Sequence, residues 1–148
     1  MSHLFTIYRG NGTSDTTTPT SVYVDDIVLS KLSADANMLV NGGFEGTLEP
    51  WTQYTSSSQT MSIQTDAHTG SNSVKVPWVH RSLTVNQVVE VAQNTDYLVT
   101  FYYKSLDSTA DKDMLFGVST LDAANNGSAF GILTVIVTNR PAYTGTAL

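Results

Sequence analysis

The chain has 148 residues, enough to bury the core of one domain, and no cysteine, which excludes disulfides, thiolate metal sites and a cysteine nucleophile. Its 7 Lys and Arg against 13 Asp and Glu give a net charge of −6, opposite in sign to the basic patch of a nucleic-acid binder. No apolar run reaches the length of a membrane-spanning helix, and no charged-then-apolar leader opens the sequence.

Ser and Thr make up 37 of the residues while charged residues are only 14%. A chain rich in Thr, Val and Tyr and punctuated by Gly and Asn is predicted to be all-β. In chain order, "LFTIYRG" (4–10) alternates as a strand and runs into the polar loop "NGTSDTTTPT". "SVYVDDIVLS" (21–30) is the second strand, so residues 4–29 are expected to form a hairpin, followed by a linker "SKLSADA". This second strand contains a conflict. Strict alternation puts Tyr23, Asp25, Ile27 and Leu29 on one face and Val22, Val24, Asp26 and Val28 on the other. Whichever face is buried, a carboxylate goes with it, and a buried charge without a partner is very costly.

Further on, "NMLVNGGFEG" (37–46) leads into "TLEPWTQYTSSS", and "QTMSIQTD" (59–66) alternates again. "AHTGSNSVKV" supplies a Gly turn and a strand over 73–79. "LTVNQVVEV" (83–91) and "YLVTFYYKS" (97–105), joined by "AQNTD", read as a second hairpin. "DMLFGVSTL" (113–121) and "FGILTVIVTN" (130–139) end the set. No segment sustains a 3.6-residue period, so no long helix is expected. Eight or nine short strands at this spacing predict a single-domain β-sandwich or jelly roll.

Four of these blocks, "NMLVNGGFEG…PWTQY", "AHTGSNSVKV", the glutamine ahead of "YLVTFYYKS", and "VYVDDIVLS", resemble the carbohydrate-binding modules of the family 4/9/16/22 type. Those are calcium-containing β-jelly rolls attached to glycoside hydrolases. In the family the double-aspartate strand closes the domain; here it precedes the "NGGFE" block. The resemblance therefore implies either a circular permutant or a stretch of two tandem modules. In the permutant, 4–30 corresponds to the family's C-terminal hairpin, 31–36 is the linker, and 37–148 is the remainder. A Trp-containing strand expected before "LFTIYRG" is not evident, which leaves open both a monomer and a strand-exchanged dimer.

The resemblance also implies a structural calcium ion that neutralises the troublesome carboxylate. Oxygen ligands suit this cation. Asp25 and Glu45 would supply carboxylates, with Gly43, Asn72 and Lys75 marking the remaining positions. For saccharide binding, strand parity places Tyr8, Asn86 and Tyr102 on outward faces. Tyr54 falls where related modules carry a stacking tyrosine, and Trp78 with Arg81 reads as a further platform, whereas Trp51 reads as core. Of the carboxylates, Glu45 is assigned to calcium and the sequence shows no evident second acid to go with Glu90, so no glycosidase pair is expected. The resulting expectation is a non-catalytic, extracellular module that brings a hydrolase to a β-linked polysaccharide of β-glucan or xylan type, without nucleic-acid or membrane partners. A structural or adhesive module mediating protein–protein contact is the alternative.

Overall fold

The computed structural model describes residues 2–9, 21–54, 60–77, 84–92, 94–105, 112–120, 129–137 and 140–147. Among these there is no helix, and the strands are β1 (Ser2–Arg9), β2 (Ser21–Lys31), β3 (Thr52–Tyr54), β4 (Ser62–Gln64), β5 (Ser73–Pro77), β6 (Thr84–Glu90), β7 (Tyr97–Ser105), β8 (Lys112–Thr120), β9 (Ala129–Val137) and β10 (Arg140–Ala147). They form two five-stranded sheets, ordered β3-β6-β1-β8-β9 and β10-β7-β2-β5-β4. Every pairing is antiparallel. The architecture is a β-sandwich.

Both expected hairpins are absent. β1 pairs with β6 and β8 in the first sheet, while β2 pairs with β5 and β7 in the second. β6 and β7, likewise, lie in different sheets. A turn between two amphipathic strands is compatible with pairing or with crossing to the facing layer, and local sequence does not separate the two. Here each strand buries its apolar side against the opposite sheet, and the chain crosses over. The strand β10 was also missing from the expectation, because "RPAYTGTA" carries a Pro and a Gly that are poor in strand interiors. Its place at the sheet edge accommodates both.

The core lies between the sheets. Phe5 of β1 and Val85 and Val89 of β6 meet Val22, Val24, Ile27 and Leu29 of β2, Val74 and Val76 of β5, and Phe101 and Tyr103 of β7. Trp51 is buried as expected, edge-on to Phe5 (ring centroids 6.1 Å apart) and tilted against Phe44 (5.4 Å). Its indole N–H donates to the Asn41 carbonyl at 2.9 Å, which meets the polar need of a buried Trp.

The conflict in β2 is resolved by a bulge. Pairing with β7 runs Asp25↔Tyr102 and then Val28↔Thr100, so β2 spends one more residue than its partner. The extra residue is Asp26, at φ 50°, a left-handed conformation that aspartate tolerates better than β-branched residues do. The slip resets the parity. Val22 and Val24 face the core before it, Ile27 and Leu29 after it, and all four are at most 2% exposed. The strict alternation expected above is thus corrected: neither aspartate points into the apolar layer.

Segment 37–46 forms no strand but lies along β2. The Ile27 N–H donates to the Gly42 carbonyl at 2.9 Å and the Met38 N–H to the Leu29 carbonyl at 2.7 Å. Asn37 reinforces this, accepting from the Leu29 N–H at 3.0 Å and donating to the Ile27 carbonyl at 3.1 Å. Gly42 is required there, because a Cβ would overlap the Ile27 carbonyl oxygen.

Candidate functional site

Two regions carry the chemistry that the sequence singles out. The first is built around Asp25. Its side chain is fully buried, not in the core but on the outer side of the second sheet, beneath the loop 65–72. One oxygen accepts from the Asp26 N–H at 2.8 Å; the other accepts from the N–H groups of His68 at 2.7 Å and Thr69 at 3.2 Å. Burial pushes the Asp25 carboxyl above its ordinary range; the three amides pull it down and the Asp26 charge pushes it further up.

The bulge turns the Asp26 carboxylate toward the same loop. It meets His68 Nδ1 at 2.7 Å and accepts from the Thr69 hydroxyl at 2.7 Å. The His68 ring in turn stacks on Tyr102, with centroids 3.6 Å apart and planes within 12°, and Tyr143 stands edge-on to it at 5.8 Å. Closer to β4, Asp66 forms an ion pair with Lys104, and its carbonyl accepts from the hydroxyls of Tyr143 and Ser73. Burial pushes the Tyr143 phenol up to about 12, so it remains a donor at physiological pH.

The far end of the loop is fixed by Glu45. Its carboxylate accepts from the N–H groups of Ser71 at 3.0 Å and Asn72 at 3.1 Å, and the Asn72 side chain accepts from the Gly46 N–H at 3.0 Å. Gly70, at φ 65°, approaches so closely that a Cβ would collide with the Glu45 carboxylate. Gly43 faces the same cluster: a Cβ there would stand 3.8 Å from Asp25 Oδ1 and 3.6 Å from Asp26 Oδ1. Of the five expected calcium positions, Asp25, Gly43, Glu45 and Asn72 therefore border this one loop. Lys75 sits in the ladder of β5, opposite Tyr23 on one side and Ser62 on the other. Among the described residues no three Asp, Glu or His side chains gather into a ready ligand set. The donors fit a hard oxygen-seeking cation in type. Such an ion would draw on main-chain oxygens as well and share both carboxylates with the amides that already hold them.

The second region is the outer face of the first sheet. Tyr54, Thr84 and Tyr8 occupy one cross-strand row over β3, β6 and β1, continued by Leu115 and Thr134. The adjacent row on the same face holds Thr52, Asn86, Thr6, Gly117 and Ile132. Neither row contains a charge. Asn86 is half-exposed, Thr52 donates to its carbonyl at 3.3 Å, and Val88 beyond it is 57% exposed.

Of the six expected saccharide contacts, four lie among the described residues, on strands of two different sheets. Tyr8, Tyr54 and Asn86 share the first sheet's outer face, and Tyr102 stands on the second sheet's outer face under His68. Trp78 and Arg81 lie outside the described residues. Parity gave the outward direction of Tyr102 correctly but says nothing about which sheet a strand joins. Sequence reasoning missed His68, Asp66, Lys104 and Tyr143. Their contacts with the loop and with β2 link residues about forty or more positions apart, beyond the reach of local periodicity.

The two adjacent charge-free rows of this antiparallel sandwich offer a surface for ligand binding. The family model described as a carbohydrate binding domain (types 4 and 9) matches residues 36–144. The match covers more than half of the chain, which belongs to this family, whose members bind saccharides and are generally non-catalytic. No curated protein and no solved structure matches it.

Proposed function

We propose that the outer face of the first sheet binds a neutral, β-linked polysaccharide of β-glucan or xylan type. The two adjacent charge-free rows carry this reading. Tyr8 and Tyr54 are separated by β6, two strand spacings or about 9–10 Å, a span suited to alternate sugars of an extended chain. Tyrosine rings offer stacking surfaces to the C–H faces of pyranoses, and Asn86, Thr6 and Thr52 offer amide and hydroxyl partners to sugar hydroxyls. Trp78 and Arg81, which lie outside the described residues, are retained as candidates. Tyr102 is retained only as the marker of the opposite face. The module is non-catalytic in this reading and tethers an attached glycoside hydrolase to its substrate outside the cell.

A structural calcium ion belongs to the same proposal. Asp25 and Glu45 would hold it, with oxygens from Gly43, Asn72 and Lys75. The ion would supply positive charge between loops 41–46 and 65–72.

Isothermal titration calorimetry against cellohexaose, laminarihexaose, xylohexaose and mannohexaose, with and without calcium, tests the proposal. Binding to one of them is expected, and Asn86→Ala is expected to weaken it about fivefold, the equivalent of about 1 kcal/mol for a hydrogen bond. Weakening by Tyr102→Ala instead would move the site to the second sheet. Silence across the panel from a folded, calcium-loaded chain would favour a structural or adhesive role.

A further inference from the structure

The two N-terminal strands stand in an unusual relation to the rest of the molecule. β1 and β2 lie outside the family match, which begins at residue 36. They do not pair with each other. β1 is the middle strand of the first sheet, between β6 and β8, and β2 is the middle strand of the second, between β7 and β5. All their ladder partners therefore come from the matched region, which without them would have a gap at the centre of each sheet. Phe5, Val22, Val24, Ile27 and Leu29, all at most 2% exposed, fill the core from these two strands alone.

The connection to the body is short and open. Residues 31–37 are exposed throughout, Leu32 to 67%. One hydrogen bond is internal to this stretch, from the Ala34 N–H to the Lys31 carbonyl at 2.9 Å, and one ties it to the body, from the Leu32 N–H to the Asp96 carbonyl at 2.9 Å. The bonds of β2 to Asn37, Met38 and Gly42 are made to the body, and a second copy's body offers the same groups.

We propose that β1 and β2 are an exchangeable clasp, which a second copy of this chain can receive in place of its own, with residues 32–36 as the hinge. The closed monomer and the exchanged dimer share every ladder and every core contact, so the hinge and the entropy of association decide between them. Five extended residues reach at most about 16–18 Å, enough to pass from one body to its neighbour. Short linkers give an effective concentration in the millimolar range, so exchange competes with self-closure only in concentrated protein. This inference is independent of where saccharide binds.

The test is refolding of the full chain from denaturant at concentrations from micromolar to about 1 mM, with mass read by light scattering after gel filtration. Dimer that rises with refolding concentration and persists on dilution is expected. Deleting Ser33, Ala34 and Asp35 is expected to give dimer at all concentrations, because the shortened hinge cannot turn back. The absence of native cysteine makes the swap directly readable: in a Val28→Cys, Thr100→Cys chain the two positions face each other across β2 and β7. Oxidation should then join two chains in the dimer and close within one chain in the monomer. Monomer at every refolding concentration, or a dimer whose cysteines link only within a chain, would overturn the proposal.

Discussion

Asp25 shows how a sequence liability becomes an anchor. Its carboxylate does not enter the apolar layer; it holds the amides of Asp26, His68 and Thr69 and so pins a loop more than forty residues away in the chain. Asp25→Ala would leave those buried donors unpaired, so a loss of about 1–3 kcal/mol is expected even in chelator. A larger loss in calcium would report the ion's share, and equal losses in chemical denaturation with and without calcium would remove support for the metal. The pH dependence follows from the raised carboxyl. The folded, metal-free state holds this proton more tightly than the unfolded chain does. The contribution of Asp25 is therefore most favourable below the ordinary value of 3.8 and diminishes as pH rises through its raised folded value. Denaturation midpoints in chelator across that window should show a shallower decline for Asp25→Asn than for the native chain.

At the level of the element, the bulge in β2 decides which side chains are inside. Deleting Asp26 would remove the extra residue and leave a regular ladder with β7, in which strict alternation from Asp25 keeps Ile27 and Leu29 inward. No buried aliphatic is lost, so this deletion is expected to leave the domain folded, weakened by the loss of the contacts to His68 and Thr69, about 1–3 kcal/mol. Asp26→Gly keeps the positive φ of 50° at no steric cost while losing the contacts to His68 and Thr69. Its net effect should stay below about 2 kcal/mol, since released backbone strain offsets lost hydrogen bonds. Circular dichroism with urea titration distinguishes the two outcomes. An unfolded deletion variant would show that β2 needs the extra residue itself, and not only the inward parity of Ile27 and Leu29.

Across the whole molecule, stability should be graded from sheet centre to sheet edge. β2 is flanked on both sides and carries five residues at most 2% exposed, Val22, Val24, Asp25, Ile27 and Leu29. β3 and β4 are three-residue strands at the edges. Native-state hydrogen exchange should therefore find the slowest amides at Val24 and Leu29 and much faster ones in β3 and β4. Because β1 and β2 each complete a different sheet, thermal unfolding should be one cooperative transition, with calorimetric and van't Hoff enthalpies equal. Two transitions would mean that the sheets melt separately.

The sequence by itself determined the all-β class, with no helix among the described residues, and the inward parity of Phe5, Gln87, Val89, Phe101 and Tyr103. These depend on a two-residue period that side chains carry locally. It also marked Asp25, Glu45 and the glycine-rich blocks as places where the pattern strains, and the family resemblance followed from those same blocks. The tertiary structure alone decided that the two supposed hairpins are crossings between layers, that a bulge absorbs the aspartate pair, and that Tyr102 and Tyr8 stand on opposite outer faces. Which sheet a strand joins depends on the summed burial of all ten strands, and no local window contains that information. Likewise, two of the three amides that hold Asp25, those of His68 and Thr69, come from a loop brought to it only by the pairing of β2 with β5 and β7.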